Sequence, residues 1–408
     1  MLPPQHQPRI AMLSVAGNFH CRRWAKALVR AGAAVRVFSL FPAEIGKGVE
    51  VQHIRPVLPM ESPLRYLNFA LTAGRLHRAL RAYKADVLMP LHLTPYGTWA
   101  LQSGYPAPIV AVAMGADVLE YDYEHPFRAP ATGWELRANR ANLALGLRRA
   151  WFRSAVQRVC DAATLVTADN YALLAVLARQ FEVPAGRRML LRWGVDRHKF
   201  DAPTAEAPIP ELSEKLATTA TRRLILSPRG LRPVYNAGPI LESFRQVAPQ
   251  LPAYAFVVLG AGYSSDPTQL NQARRLAADL PNFFLLERQL SEAEMIWLWR
   301  RCRLFLSLPV YDGYSMALAE GRYAGALPLL NPIPGNCEVA SPGVHALFLR
   351  DESPKPDELS ELIQRAVALP EAAYQRYREA NREWVAQHSE LNHSAQILVK
   401  QLKERVIP

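Results

Sequence analysis

The chain has 408 residues, half of them hydrophobic, which is long for one domain and comfortable for two. No apolar run approaches the ~20 residues of a spanning helix, and the N-terminal MLPPQHQP lacks a charged-then-apolar export pattern, so a cytoplasmic protein is expected. A net charge of +12, carried mostly by arginine, calls for anionic partners, while the lack of zinc-finger spacing or an RNP-like aromatic run argues against nucleic acid.

Arg9 to Val15 reads as a first strand, Gly17-Asn18-Phe19-His20 as a loop, and CRRWAKALVRAG as a helix with Trp24, Leu28 and Val29 on one face, ending at Gly32. AVRVFSL follows as a second strand. The opening is Rossmann-like, yet only Gly17 of a G-x-G-x-x-G is present, so no nicotinamide or flavin cofactor is expected. Two strands of the fully buried type come next, within Ala85 to Leu93 and Pro108 to Tyr121. Each ends in a polar turn, one at His92 and one at Met114-Gly115-Ala116-Asp117, where Asp117 suits a local cap. From Phe127 to Val159 the chain is rich in arginine, with Trp134, Trp151 and Phe152 interleaved. Two readings stand: an amphipathic helix lying on an anionic membrane surface, or a solvated face of the domain.

A strand with a turn at Thr167 to Asn170, a helix, and MLLRWGVDRHKF close the first domain at residue 200. Residues 201–222, rich in Pro, Ala and Thr, read as a linker. The second domain, 223–372, restarts with a strand from Leu224 to Ser227. A loop carrying Arg229 and Arg232 follows, then a helix from near Pro239. Ala255 to Asp266 is a strand running into Gly260-Ala261-Gly262, a strand-end turn that fits a backbone approach to a ligand. Ser291 and Glu294 form a capping box for a helix whose Ile296, Leu298 and Trp299 are core. Residues 373–408 read as a long closing helix. The four cysteines, Cys21, Cys160, Cys302 and Cys337, have no metal spacing and read as reduced thiols.

The richest stretch is LFLSLPVYDGYSMALAEGRYAGALPLL, Leu304 to Leu330. It reads as buried strand, Asp312-Gly313 turn, helix capped by Ser315 and Gly325, and a second strand from Ala326. The helix N-terminus then lies at the carboxyl end of a parallel strand, where its N–H groups suit a phosphate. Asp312 and Glu320 flank the place with seven residues between them. This run resembles the E-x7-E element of retaining GT-B glycosyltransferases, most of all the glycosyltransferase 4 family, with Asp312 in place of the first Glu.

The resemblance implies an α/β GT-B fold, two Rossmann-like doubly wound domains facing across a cleft, the last helix crossing back to the first domain. It implies that Asp312 with the Gly313-Tyr314 backbone orients the donor sugar and that Glu320 fixes the ribose. Arg229, with Arg232 in reserve, and the helix start at Ser315 would hold the diphosphate. Gly230 stands where the family has Arg, and Tyr235 where it has Lys. Gly17 and Gly262 would approach the donor through backbone. "NFHCRRWAKALVRAGAAVRVFS" resembles an N-terminal variant of the family, which puts His20 on the sugar or acceptor side with His92 and Asp117; the plain reading of His20 is a loop histidine. The family's His-Gly-x-Asp has Met114 for His, so either that sugar contact is lost or His92 supplies it.

The function these residues imply is a retaining transferase moving a sugar from a nucleotide-diphosphate sugar to a glycan, lipid-linked or small-molecule acceptor, without metal or cofactor. Three other readings fit: a nucleotide-sugar 2-epimerase on the same fold, a non-catalytic nucleotide-binding relative, or an anion-binding surface protein using residues 127–159.

Overall fold

The structure, a computed structural model, describes residues 7–62, 64–119, 139–202, 208–216, 224–260 and 265–407. They form two compact units. One runs up to Arg192 and takes up the chain again from Leu391; the other is Trp193–Glu390.

In the first unit the strands are β1 (Arg9–Leu13), β2 (Ala34–Ser39), β3 (Val49–His53), β4 (Val87–Pro90), β5 (Val110–Val112), β6 (Leu165–Ala168) and β7 (Arg188–Leu190). All pair in parallel, in the ladders β3-β2-β1-β4 and β5-β6-β7. Single bridges, Leu88–Ile109 and Leu91–Val112, join β4 to β5. Ile10 to Leu13 are fully buried, as a central parallel strand covered on both faces requires. Helix Phe19–Arg30 starts at Asn18, whose Oδ1 accepts the His20 N–H at 2.8 Å. It buries Cys21, Trp24 and Leu28 and packs on helix Leu391–Gln401, with Arg30 Nε donating to Asn392 Oδ1 at 2.8 Å. Residues 43–84, which carry no recognisable motif, supply β3 and helix Ala73–Tyr83.

The second unit holds β8 (Leu224–Ser227), β9 (Ala255–Leu259), β10 (Phe283–Leu286), β11 (Cys302–Ser307), β12 (Leu327–Leu330) and β13 (Leu347–Phe348). The sheet is parallel throughout, in the order β10-β9-β8-β11-β12-β13. Alternate residues feed two cores, Leu224, Leu226 and Phe305 on one face and Ile225, Leu304 and Leu306 on the other. The winding reverses between β8 and β11, and their carboxyl ends lie side by side.

Two boundaries differ from the sequence reading. Residues 193–216, assigned there to the end of the first domain and the linker, belong to the second unit where described. The reason is hydrophobic: Val195, Phe200, Ile209 and Leu212 are buried in its core, the last two around helix Pro210–Leu216. The closing helix is also two helices, Glu371–His388 and Leu391–Gln401. Between them Ser389 O accepts the Val195 N–H at 2.9 Å, which turns the chain, so the segment returning to the first unit begins at Leu391. Among the described residues no helix is long and apolar enough to cross a membrane. All four cysteines are free, and burial pushes the Cys21 and Cys160 thiols up to about 12.

Candidate active site

The loops leaving β8 and β11 are tied together. Asn236, in the left-handed region at φ 53°, donates from Nδ2 to Leu308 O at 2.7 Å, and the Val310 N–H donates to Val234 O at 2.8 Å. These ties bring Arg229 to Asp312: Nη1 donates to Oδ2 at 2.7 Å and also to Ser315 Oγ. The guanidinium lies 4.2 Å from the centre of the Tyr235 ring. Both members of the ion pair are under a fifth exposed, 17% and 19%. Burial works against the charge on Arg229, but Asp312 and Tyr235 outweigh it and hold the pKa above the usual arginine value. Arg232 points outward, its guanidinium 6.0 Å from the same ring.

Ser315 is the N-cap of helix Met316–Ala324, its Oγ accepting the Leu318 N–H at 3.4 Å. Gly325 ends the helix at φ 84°. Gly313 and Tyr314 are buried in the bend before the cap. Glu320 is buried one turn into the helix, where Oε2 accepts from Trp299 Nε1 at 3.3 Å. Gly321 faces two rings. A Cβ there would sit 2.7 Å from Phe305 Cε1 and 2.8 Å from Trp299 Cζ3, so only glycine lets the helix approach them. Arg322 is fully buried, donating from Nε to Asn381 Oδ1 and from Nη1 to Val339 O, each at 2.6 Å, with Trp384 4.4 Å away. Burial, partly offset by Tyr314, draws its pKa down to about 10.

Thus six of the expected residues, Arg229, Asp312, Ser315, Glu320 and the Gly313-Tyr314 backbone, gather around one helix N-terminus. Tyr235 and Trp299 are the members that motif reading does not reach. In sequence Tyr235 stands only where a lysine is expected, although a ring beside an arginine is itself a cation–π signal. Trp299 was rightly placed in the core, but its Nε1 reaches the carboxylate.

In the first unit, Gly17 is exposed, and a Cβ there would meet nothing closer than 3.8 Å, so its geometry does not demand glycine. His20 lies in the first turn of helix Phe19–Arg30, its ring edge-on to Phe19 at 5.8 Å. His92 sits just past β4 with φ 83° and ψ 136°, a region costing a non-glycine residue roughly 1–3 kcal/mol. Its Nδ1 lies 2.7 Å from Leu91 O, so Nδ1 carries the proton of that bond and orients the ring.

Asp117 holds this strained turn. Its Oδ2 accepts the Leu93 N–H at 2.7 Å and its Oδ1 the Met114 N–H at 2.9 Å. Burial raises its pKa, opposed by His92 and the backbone donors. Both oxygens are engaged with backbone, so Asp117 braces the loops after β4 and β5. Asp117→Asn, which sets an amide N–H against a backbone N–H, is expected to cost about 1–3 kcal/mol in urea unfolding; an unchanged midpoint would show that the brace is not needed.

Gly262 and residues 127–138 lie outside the described residues. Later in the arginine-rich stretch, Ala155, Val156, Val159 and Cys160 are buried, while Trp151 is exposed and Arg153 Nη2 donates to Gln180 O at 3.3 Å. Among the described residues no three His, Cys, Asp or Glu side chains come together as metal ligands.

Comparison with known proteins gives two family matches: residues 208–384 match the model of glycosyl transferases group 1, and residues 9–145 that of glycosyl transferase 4-like proteins. Solved structures share the fold. The sucrose-phosphate synthase of Thermosynechococcus elongatus is 15% identical with a TM-score of 0.74, over 98% of this chain and 99% of that one. Anabaena HepE, in complex with UDP and glucose, is 13% identical with a TM-score of 0.72, over 98% and 100%. The UDP-forming α,α-trehalose-phosphate synthase of Burkholderia vietnamiensis is 15% identical with a TM-score of 0.70, over 98% and 99%. No curated relative matches the chain. The fold shared with these structures is GT-B, built of two Rossmann-like domains.

Proposed function

We propose that this chain, a group 1 glycosyltransferase by its two family matches, is a retaining, metal-independent enzyme using a nucleotide-diphosphate sugar. The observation that carries this is the meeting of Arg229, Asp312 and Ser315 where the sheet reverses its winding, beside the N-terminus of the helix bearing Glu320. A guanidinium and free helix N–H groups are what a departing diphosphate needs, because negative charge grows there as the sugar C1–O bond breaks. Glu320, oriented by Trp299, takes the ribose hydroxyls. Asp312 acts first on Arg229, which it holds in place; its Oδ1, without a protein partner among the described residues, is left for a sugar hydroxyl.

We give neither carboxylate the part of nucleophile, since Asp312 is committed to holding Arg229 and Glu320 to the ribose. Retention then comes from attack of the acceptor oxygen on the face that the diphosphate leaves, its proton passing to the departing phosphate oxygen. UDP is the base to test first, because UDP stands in the HepE complex. We assign the acceptor to the first unit, with His20 and His92 as its polar contacts, and favour a glycan or lipid-linked acceptor on the inner face of the membrane.

Thermal unfolding with UDP, GDP, ADP, CDP and dTDP tests the reading. A nucleotide at 100 times its Kd adds ~2.7 kcal/mol, roughly 5–10 °C for a unit of this size. One nucleotide should shift the wild type and shift Glu320→Gln much less; the glutamine keeps the acceptor for Trp299. No shift with any of the five would remove the donor site from this cluster.

A further inference from the structure

The first unit carries a basic groove of its own. β3 is the edge strand of its sheet, and helix Ala73–Tyr83 runs beside it. Between them is a groove of about 400 Å³ lined by Arg36, His53, Arg55, Arg75 and Arg78, with Ala79 and Ala82 also at its wall. Arg75, Arg78, Ala79 and Ala82 recur at helical spacing, so one helix face presents two guanidiniums beside two small side chains that leave room for a ligand.

The arginine on the sheet is held in position. The Arg36 guanidinium lies 4.5 Å from the centre of the Tyr83 ring and pairs with Glu50, its register partner on β3. Tyr83 is itself fixed, its hydroxyl donating to Ala34 O at 2.9 Å. Arg36 Nε is buried and has no hydrogen-bond partner among the described residues. Arg75 donates from Nη1 to Arg55 O at 2.6 Å, which braces the chain leaving β3. Among the described residues Glu50 is the one acid paired with this set, so four arginines and a histidine meet a single carboxylate. A merely solvated charged face would not need a concave floor, a stacked guanidinium or an N–H left over.

We infer that this groove binds a phosphate-ester group, carried either by a small phosphorylated molecule or by a lipid headgroup. Guanidinium forks match phosphate oxygens in pairs, and their convergence on one concavity suits a dianion or a diester better than a lone carboxylate.

The test uses the full chain, with glycerol phosphate in titration calorimetry and with vesicles of phosphatidylglycerol or of phosphatidylcholine alone in flotation. Compared are the wild type, Arg75→Glu/Arg78→Glu, Arg350→Glu/Arg376→Glu as a charge-matched control on exposed sites of the other unit, and Arg229→Met. The Arg75/Arg78 pair is expected to weaken binding by about tenfold or more, while the control and Arg229→Met bind as the wild type does. Binding of glycerol phosphate without flotation identifies a small phosphorylated ligand; flotation with phosphatidylglycerol and not phosphatidylcholine identifies a headgroup. Binding lost equally in the control, lost instead with Arg229→Met, or absent in the wild type for both probes would overturn the proposal. Arg229→Met separates this failure from failure of the donor site.

Discussion

Arg229→Met should lower kcat for sugar transfer by about 10²–10³-fold, the range seen when one preorganised donor is taken from a developing anion. Nη1 reaches both Asp312 and Ser315, so the guanidinium is aimed before any ligand arrives and needs no reorganisation when the charge appears. Methionine keeps the bulk against Tyr235 and removes the fork. Asp312 would lose its partner but stays partly exposed, at 19%, so the fold should tolerate the change. Arg229→Lys should recover only part of the rate, because a point charge cannot bond two neighbours and a phosphate in one plane. The measurement is the initial rate of nucleotide release with and without acceptor. A kcat within twofold of wild type would detach Arg229 from the leaving group.

Gly321→Ala should destabilise the second unit by about 1–3 kcal/mol, through overpacking alone. The added methyl would stand within 2.8 Å of both Phe305 and Trp299, rings already packed edge to face with centres 5.2 Å apart. Neither can yield as the tip of a flexible side chain would. Since Trp299 Nε1 donates to Glu320, the same displacement should weaken nucleotide binding while the donor-side arginine is untouched. Denaturant melts and nucleotide-induced stabilisation, measured on one sample, would show both losses. Loss of stability with full nucleotide affinity would mean that Trp299 does not position the carboxylate.

Much of the second unit was legible because its signals are local. Ser315 and Gly325 cap the site helix where side-chain chemistry and φ preference put them, and the buried run at β11 needed only length and composition to be read. Asp312 and Arg229 were each legible singly, but their pairing was not. It depends on β8 and β11 being neighbours, which is a matter of strand order. Tyr235 and Trp299 were obscured for a related reason: their contacts join residues 6 and 21 positions apart in sequence. Composition misled at residues 201–222, where Pro and Ala masked Ile209 and Leu212, two residues enough to attach the stretch to a core. It misled again at Ser389, where a helical pattern continues but a backbone bond to Val195 interrupts it.

The first unit is built from two stretches of chain with the whole second unit between them. Helix Phe19–Arg30 is made early, yet the helix it packs on, Leu391–Gln401, leaves the ribosome only after Glu390. Domains ordinarily fold in the order of their synthesis; here the unit begun first is finished last. Its early helix must wait, one face uncovered, through the making of the nearly 200 residues of the other unit.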